Sequence, residues 1–181
     1  KQWLVEIPQD LHAKETSLRL HMDGFTASRE LRVGDVLAVP LLTPHALQHG
    51  VRTIEFQTPV YERKILSFAQ KVLTQNHWDT DEALQLAQLH IPVDDVFPVL
   101  HNADGVKIER IVAFDDFTVQ RIYLAPGTEY CCFAGDSYAL LITVLRQVQC
   151  GFTLLQPEQA ALLPLSAKQV LLQNSGSDIA V

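Results

Sequence analysis

The chain has 181 residues, of which 48% are hydrophobic and 19% are charged, so it is long enough to bury a core and too apolar for extended disorder. Its net charge of −7 disfavours nucleic acids and anionic membranes as partners, because neutralising phosphates requires a basic surface. The longest apolar stretch, residues 138–145, is far shorter than the roughly 20 residues that cross a bilayer as a helix.

The three cysteines, Cys131, Cys132 and Cys150, form no C-x-x-C pair, which argues against a disulfide framework or a thiolate zinc site. So few cysteines are typical of a reducing compartment and predict a cytoplasmic protein. The first residues lack both a starting Met and a signal-peptide pattern, so we expect a chain processed or excised from a longer one.

In chain order, the predicted elements are mostly short strands, rich in β-branched or aromatic residues and broken by Gly, Pro, Asp and Asn. In the first part they are residues 2–7, 17–22, 35–41 and 52–58. A helix is predicted over residues 79–90, because Asp79 can act as N-cap, Glu82 follows three residues later and Pro92 lies just beyond the end. After the helix the predicted strands are residues 109–114, 118–124, 138–145, 151–155, 160–165 and 169–174.

Similar sequences lie on the two sides of this helix. Two segments begin with Gly-Phe-Thr, at Gly24 and at Gly151, and when Pro40 is placed on Pro164, 124 residues further on, His45 falls opposite Gln169. The distance from Gly-Phe-Thr to the proline differs by three residues between the segments, which a surface loop could absorb. Two related β units joined by a helix are the simplest interpretation, with chance similarity between strand-rich segments as the alternative.

His45 is the principal candidate for chemistry in the first unit. Gly34 and Asp35 suit a tight turn into a strand. Pro40, which has no N–H to donate to a neighbouring strand, then ends the strand before the loop that carries His45. This order of turn, strand, proline and loop can place an imidazole, a common metal ligand, in the interior of a barrel. A polar residue at the mouth of the barrel is the alternative.

The sequence "GDVLAVPLLTPHAL" resembles the second cupin motif, G-D-x-x-x-x-P-x-x-x-x-H, and the stretch after it resembles type I phosphomannose isomerases. In those enzymes a Glu-x-Gln pair and a Tyr-Arg pair continue from the zinc-binding histidine. Glu55, Gln57, Tyr61 and Arg63 stand at the corresponding places, with Glu62 between Tyr and Arg.

The resemblance implies an aldose-ketose isomerase of sugar phosphates, with zinc held by Gln, His, Glu and His. Zinc would act as a Lewis acid on the sugar oxygens, and Arg63 would be the catalytic arginine that stabilises developing negative charge. His45 is the one expected ligand found at its motif position. Glu6 or His21 could substitute for missing ligands if their side chains point inward.

The candidate substrate-binding residues are Glu55, Gln57 and Lys64. On a strand, Glu55 and Gln57 share one face, so they would bind sugar hydroxyls if that face lines the barrel interior and would have no such role if it faces solvent. Residues 1–71 carry nine Lys or Arg against eight Asp or Glu, and the remainder carries five against thirteen. An anionic ligand therefore suits the first part, which contains Arg63 and Lys64.

The resulting fold prediction is all-β, with two tandem cupin-type jelly-roll barrels and one connecting helix. The predicted boundaries are residues 1–75 for the first unit, 76–107 for the connector and 108–181 for a second unit without a metal site.

Three functions remain open. The chain is a metal-dependent isomerase, a non-catalytic sugar-binding module, or a fragment of a longer isomerase. Each would bind a sugar or sugar phosphate, zinc is the cofactor that the first implies, and a homodimer is compatible with all three.

Overall fold

The structure is a computed structural model that describes residues 2–3, 8–58, 64, 66, 72–73, 79–90 and 96–181. The chain divides into two compact units, one formed by Lys1–Glu30 and Ala38–Val93 and the other by Leu31–Leu37 and Asp94–Val181. The described part is mostly antiparallel β structure with two α-helices, and none of its sheets closes into a barrel. Neither helix has the length and hydropathy needed to cross a bilayer.

The described part of the first unit contains two helices and one short strand pair. Strands β1 (Gln2–Trp3) and β2 (Val72–Leu73) pair antiparallel. Helix α1 spans Gln9–Asp23, and helix α2 spans Thr80–Leu86.

Helix α1 contains residues 17–22, so the prediction of a strand there is wrong. The alternation of apolar and polar residues in that stretch is also compatible with a helix. Glu15 and Arg19, one turn apart, form an ion pair that supports the helix.

Helix α2 confirms the predicted helix but is shorter, because it ends at Leu86 rather than at residue 90. The backbone N–H of Gln88 donates to the Leu42 carbonyl at 2.9 Å instead of extending the helical ladder. The predicted strands at residues 35–41 and 52–58 are wrong, since neither segment joins a ladder in the described chain.

The described part of the second unit contains nine antiparallel strands. They are β3 (Val99–Ala103), β4 (Val106–Ala113), β5 (Thr118–Leu124), β6 (Glu129–Phe133), β7 (Ala139–Ile142), β8 (Val148–Cys150), β9 (Thr153–Leu155), β10 (Ala160–Leu163) and β11 (Gln169–Gln173). All six strands predicted here are confirmed, with bounds shifted by a few residues. Strands β3, β6 and β8 were not predicted, because they lack the β-branched runs that the others carry.

Strand pairing in this unit is nested. β8 pairs with β9, β7 pairs with β10 outside that hairpin, and β6 pairs with β11 outside both. The resulting sheets have the orders β6-β11-β8-β9, β7-β10 and β3-β4-β5. Buried residues of β4 and β5 join those of the four-stranded sheet in one apolar core.

Asn174, which follows β11, is fully buried and links the strands around this core. Its Nδ2 donates to the carbonyls of Leu124 and Asp178, both at 2.8 Å, and its Oδ1 accepts the N–H of Gly176 at 2.9 Å. Its backbone N–H donates to the Thr128 carbonyl at 3.0 Å. One side chain thus joins the end of β5 to the last segment of the chain.

Two turns, separated by the same 124 residues as the sequence repeat, have the same geometry. In residues 32–35, the N–H of Asp35 donates to the Arg32 carbonyl at 3.0 Å, and the Asp35 carboxylate accepts the N–H of Arg32 at 2.9 Å. In residues 156–159, Gln159 makes the same two bonds with Gln156, at 3.0 and 2.8 Å.

The third residue of each turn has a positive φ, 91° at Gly34 and 70° at Glu158. A second pair of turns also matches, since Thr43 N–H donates to the Pro40 carbonyl and Ala167 N–H donates to the Pro164 carbonyl. Because the backbone bonds recur at a constant offset, they support the interpretation of an internal repeat.

We expect Asn174→Ala to lower the free energy of unfolding by about 2–4 kcal/mol, because it leaves two carbonyls and one N–H without their partner. Asn102→Ala, at an exposed asparagine of β3, is the matched control and should change it by less than about 0.5 kcal/mol. Urea denaturation measures both. Equal stability of the two variants would contradict the role assigned to Asn174.

Candidate functional site

The loop that carries His45 is held by backbone hydrogen bonds. Pro40 and Thr43 close a turn through a 3.2 Å bond, and Leu42 within it has a φ of 62°, which is uncommon for a bulky residue. The Leu42 carbonyl accepts the N–H of Gln88 just beyond α2. The turn is therefore tied to the helix that follows it in the chain.

The His45 ring is exposed and oriented by the same turn. Its Nδ1 lies 2.8 Å from the Thr43 carbonyl oxygen. A carbonyl only accepts, so Nδ1 is the donor in this contact, and Nε2 is the ring nitrogen left for another partner. Metal-binding histidines are commonly fixed in this way, with the other ring nitrogen donating to a backbone carbonyl.

The predicted substrate-binding residues lie in different surroundings. Glu55 and Gln57 are exposed, but so are Ile54 and Phe56, so the expected division into a polar and an apolar face is not seen in this segment. Their binding role stays a prediction.

Lys64 lies against α2, where its Nζ is 2.9 Å from Oε1 of Glu82. Arg63, the predicted catalytic residue, lies outside the described residues, as does Tyr61.

The donor set for zinc is incomplete among the described residues. No three His, Cys, Asp or Glu side chains in that part of the chain come together to hold a metal ion. A catalytic zinc site uses three protein ligands, and His45 supplies one.

A polar cluster that the sequence analysis missed lies on the second unit. On β4 and β5, Lys107 pairs in register with Tyr123, and Glu109 pairs with Arg121. The residues that alternate with them, such as Ile108, belong to the apolar core. The four polar side chains thus share the opposite face of the two strands.

Glu109 is the centre of this cluster and is 7% exposed. Its Oε2 accepts bonds from Arg121 Nε at 3.1 Å, Arg121 Nη2 at 2.6 Å and the Tyr123 hydroxyl at 3.2 Å. Its Oε1 lies 2.6 Å from Lys107 Nζ. Burial raises the pKa of Glu109. Hydrogen bonds and positive charge from Lys107 and Arg121 lower it by more than burial raises it, so the pKa lies below the ordinary value.

Arg121 extends this cluster to the turn at residues 32–35. Its Nη1 donates to the Gly34 carbonyl at 2.7 Å, and its guanidinium lies 5.7 Å from the Phe97 ring and 5.1 Å from the Tyr123 ring. Burial raises the pKa of Tyr123, which keeps its phenol protonated as a donor to Glu109. The cluster therefore fixes the turn to β5 within the second unit.

An open depression of about 610 Å³ borders the cluster at Lys107 and Tyr123, beside the hairpin that joins β3 and β4. Both polar groups already interact with Glu109, so the cluster has the chemistry of a structural ion pair. The alternation of charged and apolar residues in "VKIERI" and "VQRIYL" signals such a face, but the pairing register that joins them is not visible in the sequence.

No protein-family model and no curated protein matches this chain. The resemblance to cupins and phosphomannose isomerases therefore stays a prediction from the motif residues.

We expect Glu109→Gln to lower the free energy of unfolding by about 3 kcal/mol near neutral pH, because it leaves Arg121 without its counter-charge. In the unaltered protein the Glu109 pKa is lower in the folded state. Its contribution is therefore complete above the unfolded pKa of about 4.3 and is lost as pH falls through the folded pKa.

Urea denaturation from neutral to acid pH measures this contribution. The difference between the unaltered protein and Glu109→Gln should shrink as the pH falls below about 4. Glu129→Gln, at an exposed position of β6, is the control and should have little effect at any pH. A constant difference across the range would contradict the assignment.

Proposed function

We propose that the chain is a duplicated cupin-type protein, related to type I phosphomannose isomerases, in which both units derive from a jelly-roll barrel. Nested antiparallel pairing of β6–β11, β7–β10 and β8–β9 supports this for the second unit. Near the end of the chain, Ala180 pairs with Leu124 of β5 in an isolated antiparallel bridge. The matching turns at residues 32–35 and 156–159 support the duplication.

The function proposed is binding of a sugar or sugar phosphate in the cytoplasm, at the first unit. The observation that carries this proposal is the repeated turn geometry, which supports the alignment of His45 with Gln169, the first residue of β11. In the second unit that position follows the strand β10 and its proline turn. A histidine there, with Nδ1 bound to the Thr43 carbonyl, keeps Nε2 for a ligand oxygen or a metal ion.

The neighbouring candidates supply complementary chemistry. Glu55 and Gln57 would hydrogen-bond sugar hydroxyls, while Lys64 and Arg63 would bind phosphate or stabilise developing negative charge. When bound at His45, zinc would supply Lewis-acid polarisation of the sugar oxygens. Isomerisation at such a zinc ion would need two more protein ligands beyond His45. The competing form of the proposal is a non-catalytic module that binds a sugar without metal.

We expect mannose 6-phosphate to raise the melting temperature of the protein and His45→Ala to abolish that rise, because binding to the folded state alone stabilises it. His49→Ala is the matched control, since His49 is an exposed histidine four residues further along the same loop. Thermal unfolding with increasing ligand measures the shift, and inorganic phosphate at equal ionic strength tests whether phosphate alone suffices.

Loss of the shift in His45→Ala but not in His49→Ala supports binding at His45. No shift in the unaltered protein with mannose 6-phosphate or mannose would contradict sugar binding. Metal analysis of protein purified without chelator separates the two forms: a stoichiometric divalent ion lost in His45→Ala supports the isomerase, and a metal-free protein that still shows the shift supports the binding module.

A further inference from the structure

Residues 178–181, which we call the bridging segment, lie between two parts of the second unit. On one side, Ala180 and Leu124 of β5 donate their N–H groups to each other's carbonyls, at 3.0 and 2.9 Å. On the other side, Val181 and Leu145 exchange the same two bonds, at 2.9 and 3.1 Å. The bridging segment is therefore hydrogen-bonded along both edges, and it closes the gap between β5 and the residues that follow β7.

One side chain of the bridging segment is completely buried. Ala180 is 0% exposed, so a side chain larger than a methyl group does not fit there without moving its neighbours. Ile179, the preceding residue, is 53% exposed and lines the open depression beside Lys107 and Tyr123. This alternation is that of an extended strand, in which successive side chains lie on opposite sides. The gap therefore accepts an extended backbone with a small residue facing inward.

The bridging segment is held more weakly than an inner strand such as β11. β11 places Leu172 in the core and pairs with β6 along its whole length. In the bridging segment, Asp178 pairs with Arg146 at 2.9 Å, but their side chains are 60% and 58% exposed, and exposed ion pairs contribute little to stability. Alanine buries little apolar area, and bonds to water can replace those of the backbone.

The chain is built so that the bridging segment can open by itself. Residues 175–177, Ser-Gly-Ser, are exposed and have the composition of a flexible linker. On opening, Asn174 loses the Asp178 carbonyl but keeps its bonds to the carbonyls of Leu124 and Thr128. The backbone groups at the edge of β5 then lack partners, and such an edge binds an added strand.

We propose that the bridging segment is a detachable strand and that the gap it fills is a binding site for an extended peptide with a small residue at the position of Ala180. The bound peptide adds as a strand, and its backbone makes the bonds to Leu124 and Leu145 that the chain's own residues make. The seated segment is the observation that supports this mode of binding. The site lies in the second unit and is independent of the sugar-binding function proposed for the first.

Ala180→Asp in the full chain tests the proposal, because a charged side chain does not fit the buried position and its displacement frees the gap. A fluorescently labelled peptide with the sequence of residues 175–181 should bind this variant at least about tenfold more tightly than the unaltered protein, in which the chain's own segment competes as a tethered ligand. Fluorescence anisotropy measures both dissociation constants. Ile179→Asp is the matched control, since it adds the same charge at the exposed neighbouring residue, and it should leave the peptide affinity at the level of the unaltered protein.

The same peptide carrying Ala180→Asp should not bind the Ala180→Asp protein, which separates seating in the gap from unspecific attachment. Circular dichroism and thermal unfolding check that the protein variants remain folded. A folded Ala180→Asp protein that binds the peptide no more tightly than the unaltered protein overturns the proposal, and so does one that binds both peptides equally.

Hydrogen exchange of the unaltered protein gives a second measurement, which stands even if Ala180→Asp unfolds. The amides of Ala180 and Leu124 should exchange at least about tenfold faster than that of Leu172 in β11, after correction for intrinsic rates, because local opening frees them. Equal protection of these amides overturns the claim that the bridging segment detaches.

Discussion

The second unit depends on one buried amide, that of Asn174. An amide placed in an apolar core is costly unless every polar atom has a partner, and here the side chain has two acceptors and one donor within 2.9 Å. Gly176 and Asp178 are its near neighbours in the chain, whereas Leu124 lies 50 residues away, so the cost is avoided only when the end of β5 meets the segment after β11. Leu124 also pairs with Ala180 in an isolated bridge. The amide thereby selects one arrangement of strands, which apolar packing alone does not do.

The strands β4 and β5 show how one pair of strands serves two purposes. One face contributes Val106, Ile108 and Leu124 to the core, while the other holds Glu109 and Arg121. Because Arg121 also reaches the Gly34 carbonyl, a segment that the sequence assigns to the first repeat is fixed to the second unit. The compact units of the structure therefore divide the chain differently from the repeat.

The strands of the second unit could be predicted because their apolar residues alternate or cluster between clear turn residues. β6, with two adjacent cysteines, carries no such signal. Residues 35–41 have the composition of a strand but join no ladder in the described chain, and composition does not reveal whether a partner strand is present. His45 could be found from its spacing to Pro40. Glu109 could not, since its importance comes from the register that brings Arg121 opposite it.

The repeated turn keeps its backbone while all four residues differ. Arg-Val-Gly-Asp and Gln-Pro-Glu-Gln share no residue, yet both close with an acidic or amide oxygen at the fourth position and a left-handed third residue. Glutamate occupies the conformation that glycine adopts without strain, at an expected cost of roughly 1 kcal/mol. Such a turn therefore keeps its hydrogen bonds without the glycine that makes the motif recognisable, as long as the fourth side chain offers an oxygen to the N–H of the first residue.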